Sequence, residues 1–84
     1  MEHVCYVLYS KRHSKIYIGE TSQLINRFKS HNKLAKKGWT IKYRPWKVVY
    51  VEFCDSKSNA IKREKQLKSS RGRSFIHNEI LSTY

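Results

Sequence analysis

Two long runs of apolar, strand-forming residues constrain the fold of this chain more than any other feature. Residues 4–9 read Val-Cys-Tyr-Val-Leu-Tyr, and residues 46–54 form a second run of similar character. β-branched and aromatic side chains favour strands, and unbroken apolar runs are typical of buried ones. Because 84 residues leave room for one domain only, residues 1–84, most apolar side chains must serve a single small core.

The first strand is predicted to continue into a β-hairpin. A polar stretch separates it from the apolar residues 16–18, which are followed by a glycine. If residues 11–14 form the loop, Leu8 pairs with Tyr17, and Tyr6 shares one face of the sheet with both. A slip of one residue would put the two tyrosines on opposite faces.

Helical spacing predicts three helices in the remainder of the chain. The predicted helices are residues 23–33, after the N-cap candidates Thr21 and Ser22; residues 57–69, after Asp55 or Ser56; and residues 73–82, beyond a break at Gly72 and burying Phe75, Ile76, Ile80 and Leu81. The resulting order, ββαβαα, predicts an α+β fold in which helices flank a small three-stranded antiparallel sheet.

The charge balance points to the partner. Lys and Arg number 18 against 6 Asp and Glu, a net charge of +12. Such an excess attracts polyanions and releases their counterions, so nucleic acid is the leading partner. A membrane surface fits less well, because no predicted helix pairs a wide apolar face with a basic one. A soluble protein that is merely basic is the alternative.

The cysteines and the chain start indicate a cytoplasmic protein. Cys5 and Cys54 lack the paired spacing of a zinc site, so we expect both to be buried, reduced thiols, with a single disulfide between them as the alternative. The first residues do not form a signal peptide, and no apolar stretch reaches membrane-spanning length.

Glu64 is the first candidate for a chemical role. It is the only acid between Ser56 and Asn78, a stretch with seven Lys and Arg residues, and it lies on the apolar stripe of its helix. Surrounding cations would keep it ionised and able to bind a metal ion. A structural ion pair with Arg63, Lys68 or another neighbour is an equal alternative.

Arg27 and His31 are the second candidates, because residues four apart on a helix are neighbours. A guanidinium can stabilise charge on a phosphoryl group while an imidazole relays a proton. Without other information, an exposed arginine and a core histidine explain them better. For Tyr6 and Tyr17, ordinary core aromatics are likewise the favoured interpretation.

Taken together, these residues resemble the GIY-YIG nuclease family. The similarity rests on Val4-Cys5-Tyr6, Tyr17-Ile18-Gly19, Arg27 and His31 on one helix and Glu64 on the next, and it covers nearly the whole chain. The chain is most similar to short, stand-alone bacterial members, which share the Tyr-Ile-Gly-Glu-Thr turn, Arg-Pro-Trp-Lys at 44–47 and Lys-Arg-Glu-Lys at 62–65. The first motif keeps only its tyrosine.

The resemblance implies an endonuclease that hydrolyses nucleic-acid phosphodiesters, in DNA, with one Mg²⁺ or Mn²⁺ ion. Glu64 would bind the metal, Arg27 would neutralise the transition state, and Tyr6 would deprotonate water with Tyr17 and His31 orienting or relaying. Ionising a free tyrosine at pH 7 costs about 4 kcal/mol. The base is therefore Tyr6 if nearby cations lower that cost, and His31 if they do not.

Further residues are expected to support the site and bind the substrate. Gly19 allows close backbone approach or simply ends a strand, and Asn78 would match an asparagine that family nucleases carry near the metal. Trp39 and Tyr43 could stack on bases, whereas Trp46 is assigned to the core. The predicted nucleic-acid-binding residues are Lys33, Lys36, Lys37, Lys42, Arg44, Lys62, Lys65 and Lys68. Contacts mainly to phosphates predict weak sequence preference and strong salt dependence.

Two other functions fit the same sequence. One is a catalytically weak or inactive nucleic-acid-binding module of the same fold, which would bind without metal-dependent cleavage. The other is a basic accessory protein of a ribonucleoprotein, which would prefer RNA and ignore Mg²⁺.

Overall fold

The secondary structure follows the predicted order of strands and helices. The computed structural model describes residues 3–34, 36 and 38–84, so the expectations for Ala35, on the stripe of the first helix, and for Lys37 lie outside it. The elements are β1 (His3–Ser10), β2 (Lys15–Thr21), α1 (Leu24–Lys29), a π-helical turn (Ser30–Leu34), a 3₁₀ helix (Trp39–Tyr43), β3 (Lys47–Cys54), α2 (Lys57–Lys68), α3 (Ser70–Phe75), a second π-helical turn (Ile76–Ile80) and a final 3₁₀ turn (Leu81–Thr83). The predicted α+β fold is confirmed.

The three strands form one antiparallel sheet in the order β2-β1-β3, with the most apolar strand in the middle. Leu8 lies opposite Tyr17 and Ser10 opposite Lys15, so the predicted register of the hairpin is confirmed. In the same register Tyr6 lies opposite Gly19. Strand β2 is therefore an edge strand, and the tyrosine that faces it has a neighbour without a side chain.

A bulge in β3 adjusts which of its side chains face which layer. Val7 pairs with Tyr50 but Leu8 pairs with Val48, so Val49 is an extra residue in the ladder. As a result Val48 packs with the side chains around Tyr6, whereas Val49 and Tyr50 pack on the other face of the sheet.

Each face of the sheet carries its own core. The layer on one face, called the tyrosine layer, contains buried Tyr6, Leu8 and Trp46, packed against Tyr17, Leu24, Phe28 and other partly buried residues. The layer on the other face, called the α2 layer, contains Cys5, Val7, Ile18, Ala60, Leu67, Ile76 and Ile80. Helices α2 and α3 therefore cover the face opposite to α1.

The start of α1 differs from the prediction. Gln23, not Thr21 or Ser22, occupies the N-cap position, and its side chain makes no capping hydrogen bond. The hydroxyl of Thr21 instead accepts a hydrogen bond from the backbone N–H of Gln23 at 3.0 Å. The prediction failed because Thr21 is the last residue of β2 and its side chain is buried there. Helix α2 begins as predicted, since Ser56 accepts from the N–H of Asn59.

The predicted break at Gly72 is wrong. Helix α3 begins at Ser70 and includes Gly72, which is buried. The backbone of Gln66 and Leu67 lies so close to Gly72 that a Cβ there would collide with it. The glycine thus permits the close packing of α3 on the end of α2. Phe75 was expected to be buried but is 36% exposed, because the rotation of α3 points Ile76, not Phe75, into the core.

Both cysteines are free thiols, as expected, and they differ in burial. Cys5 is fully buried, and its Sγ donates a weak hydrogen bond to the carbonyl oxygen of Ala60 at 2.9 Å. Burial raises the pKa of the Cys5 thiol to about 12, so it stays protonated and structural. Cys54 is only half-buried, which corrects the expectation that both would lie in the core.

Candidate active site

Three of the predicted site residues form one ring cluster. The hydroxyl of Tyr6 lies 3.0 Å from Nε2 of His31, although the residues are 25 positions apart in the chain. The ring centroids of Tyr17 and His31 are 4.5 Å apart, and those of Tyr6 and Tyr17 are 6.2 Å apart. The hairpin register therefore does bring the two phenols onto one face, with the imidazole between them and α1.

Gly19 makes room for the phenol of Tyr6. A Cβ added at residue 19 would lie 2.6 Å from the phenol oxygen and 2.7 Å from Cζ. The ring of Tyr6 thus crosses the backbone of β2 at the one position in its path that has no side chain. Close approach explains this glycine better than strand termination, since β2 continues to Thr21.

Two residues between α1 and β3, Thr40 and Arg44, hold His31 in position. The hydroxyl of Thr40 lies 3.1 Å from Nδ1 of His31, and Arg44 donates hydrogen bonds to the carbonyl oxygens of His31 at 2.7 Å and Ser30 at 3.0 Å. If Nδ1–H donates to the Thr40 hydroxyl, Nε2 is the nitrogen that accepts from Tyr6. Burial, together with Arg27 and Arg44, lowers the pKa of His31, so the imidazole is neutral at physiological pH.

Side chains of both charge signs influence the pKa of Tyr6. Burial is the main cause that raises its pKa, and Tyr17 and the carboxylate of Glu64 raise it further, while the guanidinium of Arg27 lowers it. Burial prevails, so the phenol is neutral at physiological pH. Arg27 and Glu64 therefore both contribute to the electrostatic environment of the Tyr6 phenol.

Glu64 lies on α2, in the helical layer on the other face of the sheet. Its helix packs through Ala60 and Leu67 on the face opposite to Tyr6. The carboxylate accepts a hydrogen bond from Nζ of Lys68 at 2.8 Å, with the Lys68 side chain 51% exposed and that of Glu64 21% exposed. The ion pair considered from the sequence is therefore present. Exposed ion pairs of this kind contribute little to stability, about 0–1 kcal/mol. A divalent metal ion could therefore replace the Lys68 ammonium at the Glu64 carboxylate at little cost.

The residues at Glu64 fit a metal ion that is held jointly by protein and substrate. Among the described residues, no group of three or more His, Cys, Asp or Glu side chains could hold an ion without help. Mg²⁺ retains several waters and commonly takes one carboxylate together with substrate phosphate oxygens. A single carboxylate in a basic surrounding meets that description, and a fully protein-held site does not.

The other predicted site residues differ in how exposed their side chains are. Lys33, Lys36, Lys42, Lys62 and Lys65 are exposed, and Arg44 is half-buried with its guanidinium on backbone carbonyls. Asn78 is exposed on the turn after α3, next to His77, which lines a cleft with Tyr17 and Lys68. The prediction that Trp46 belongs to the core is confirmed, since it is 3% exposed.

Thr40 and the positioning contact of Arg44 could not be found from the sequence. Both residues lie in a segment without clear periodicity, and both act on His31 across a loop. A hydroxyl nine residues from a histidine carries no sequence signal.

Within the described part of the chain, no helix is long and apolar enough to cross a membrane.

Comparison with known proteins identifies the family. Residues 2–77 match the GIY-YIG catalytic domain, so this chain belongs to the GIY-YIG family, a family of nucleases. A UPF0213 protein of Desulfotalea psychrophila is 38% identical to this chain over 65 residues. The match covers 73% of this chain, and this chain spans 59% of that protein's length. The solution NMR structure of a UPF0213 protein of Bacillus halodurans has a TM-score of 0.55 and 26% identity, covering 92% of this chain and 83% of the other.

Proposed function

We propose that the protein is a divalent-metal-dependent endonuclease that hydrolyses DNA phosphodiester bonds. The observation that carries this proposal is the surrounding of the Tyr6 hydroxyl, which lies 3.0 Å from Nε2 of His31 and under the influence of Arg27 and Glu64. Membership of a nuclease family implies a nucleic-acid substrate. DNA, the metal and the residue roles are the proposed part.

The proposed mechanism uses Tyr6 and His31 as one proton relay. Because burial raises the pKa of Tyr6, its phenol does not supply a free phenolate. Because Tyr6 is fully buried, the proposal requires that substrate binding admit the attacking water to the phenol. Tyr6 would then accept a proton from that water while it passes its own proton to the neutral Nε2 of His31. The transfer needs the tautomer in which Nδ1–H donates to Thr40, and the 3.1 Å contact between Nδ1 and the Thr40 hydroxyl is compatible with it. In this proposal His31, not Tyr6, is the final acceptor of the proton.

Arg27 and Glu64 are assigned to the phosphate. The exposed guanidinium of Arg27 would bind the phosphoryl oxygens and stabilise the charge that develops on them. Glu64 would hold a Mg²⁺ or Mn²⁺ ion, with Lys68 displaced towards the substrate. When bound, such an ion polarises the phosphate and stabilises the leaving oxygen.

The test is nicking of supercoiled DNA by the full chain with Mg²⁺, Mn²⁺ or a chelator. We expect cleavage with metal only, and its loss in Glu64→Gln. Glu79→Gln is the matched control, because Glu79 is an exposed acid in the turn after α3. Equal nicking by wild type and Glu64→Gln would contradict the assignment.

A binding module without turnover is the second candidate, and the Lys68–Glu64 ion pair favours it. In that case wild type and Glu64→Gln would bind DNA equally and neither would cut it. We also propose that the chain acts as a single domain in the cytoplasm, which the two free thiols support.

A further inference from the structure

A cleft of about 640 Å³ follows the outer edge of β2. Residues 14–18 form one side of it. Trp39 contributes from the tyrosine layer, and Lys68, Arg73 and His77 contribute from the α2 layer. The cleft therefore lies between the two helical layers, and it includes Tyr17, which contacts His31.

The cleft contains a partly exposed aromatic platform. Trp39 is 46% exposed, whereas Trp46 behind it is 3% exposed, and their ring centroids are 5.9 Å apart. Tyr43 packs on Trp39 at 4.7 Å, and Nζ of Lys15 lies 5.4 Å from the centroid of the Tyr43 ring. The indole of Trp39 is thus supported by two rings and has a cation nearby.

Charge and shape in the cleft select for a nucleic-acid strand. Lys15, Lys68 and Arg73 line it, and no carboxylate is among its described lining residues. Cations that follow a backbone, combined with aromatic rings, are the features of single-strand-binding grooves. In a continuous duplex the faces of each base are covered by its neighbours, so only an unpaired or splayed base can stack on an indole.

We propose that this cleft binds an unpaired nucleotide whose base stacks on Trp39 while Lys15 and Arg73 contact the adjoining phosphates. The proposal rests on the proposed function, because the cleft reaches the candidate site through Tyr17, whose ring lies 4.5 Å from that of His31. The preferred substrate is then a nucleic acid with a single-stranded segment next to the scissile phosphate.

Binding can be measured without cleavage. The full chain carrying Glu64→Gln is titrated in chelator with single-stranded DNA of about 12 nucleotides, a length within the range of known single-strand sites. Tryptophan fluorescence reports mainly on Trp39, because Trp46 is buried. We expect strong quenching by the single strand and weak quenching by a duplex of the same sequence. An abasic strand of equal charge is the control, and equal quenching by that strand would overturn the proposal.

Three variants separate stacking from charge. Because the two Trp39 variants lack the reporting indole, affinities are measured by the fluorescence anisotropy of a dye-labelled strand. Trp39→Ala should lose about tenfold or more in affinity for the single strand, whereas Trp39→Phe should retain most of it. Phe53→Ala is the matched control, because Phe53 is an exposed aromatic, at 72%, on the opposite edge strand. Single-strand affinity of Trp39→Ala within twofold of the parent would also overturn the proposal. If Trp39→Ala does not fold, the comparison of normal and abasic strands decides.

Cleavage assays keep this proposal apart from the endonuclease proposal. With Mg²⁺ or Mn²⁺, the chain with native Glu64 should cut a flap or single strand about tenfold or more faster than continuous duplex. Absence of cleavage of every substrate, with quenching by the single strand retained, would refute the endonuclease and support the binding cleft. Equal cleavage of duplex and single strand, without quenching, would do the reverse.

Discussion

Replacing Gly19 with alanine should destabilise the protein, although the general tendency in strands is the opposite. Alanine is ordinarily favoured over glycine in a strand interior by about 0.5–1 kcal/mol. Here the new Cβ would lie 2.6 Å from the oxygen and 2.7 Å from Cζ of Tyr6. Because Tyr6 is fully buried, its ring has no free space to enter. The sign of the effect therefore tests the close approach itself.

The expected magnitude follows from the cost of overpacking. Forcing an extra methyl group into a well-packed core costs about 1–3 kcal/mol. In a domain of this size, about 2 kcal/mol corresponds to a decrease in Tm of roughly 8–16 °C. Displacement of the Tyr6 hydroxyl from His31 should also reduce DNA cleavage by about 100-fold, as a 1 Å misplacement of a catalytic group can do.

The assay is thermal unfolding by circular dichroism, with a double-mutant cycle as control. In a Tyr6→Leu background the added methyl has room, so Gly19→Ala should cost no more than a few tenths of a kcal/mol. The coupling between the two positions should then be about 1–2 kcal/mol. Additive effects of the two substitutions, or a Gly19→Ala variant that is as stable as wild type, would refute the reasoning.

Three further changes test other contacts. Burial alone would raise the pKa of Glu52, but its hydrogen bonds and Arg63 lower it below 4.5. The folded state is therefore destabilised as pH falls through the folded-state pKa of Glu52. Arg63→Gln should flatten the decrease in Tm between about pH 5 and pH 3. If His31 accepts the proton, cleavage should persist down to about pH 6.5 and fall only below it. A pH–rate profile should lose this limb in His31→Gln, and an unchanged limb would exclude the role. Lys68→Gln frees the Glu64 carboxylate, so the Mn²⁺ concentration for half-maximal cleavage should fall several-fold. Tm should change by only a few degrees, because the Lys68–Glu64 pair is exposed. An unchanged Mn²⁺ requirement would contradict this role of Lys68.

Local periodicity was sufficient to predict the sheet and that Tyr6 and Tyr17 share one of its faces. The alternation of side chains along a hairpin fixes which residues share a face once the loop is assigned, and Leu8 does lie opposite Tyr17. Likewise, the helical spacing of Arg27 and His31 predicted that they are neighbours, and Arg27 does lower the pKa of His31.

Contacts between distant segments could not be predicted in this way. Gly72 resembles a helix breaker in the sequence, yet it lies inside α3 because the backbone of α2 passes too close for any side chain. Thr21 has the composition of an N-cap, but its burial at the end of β2 takes it away from α1. The roles of Thr40 and Arg44 depend on how a loop folds back over His31.

The division of the core into two separate clusters determines when, during folding, the proposed reaction centre is complete. Tyr6 and His31 belong to the tyrosine layer, whereas the helix that carries Glu64 belongs to the α2 layer. A partly folded chain in which either layer has opened keeps most of its positive charge and still binds polyanions. Such a chain lacks one half of the proposed reaction centre, so the proposed hydrolysis would begin only when folding on both sides of the sheet is complete.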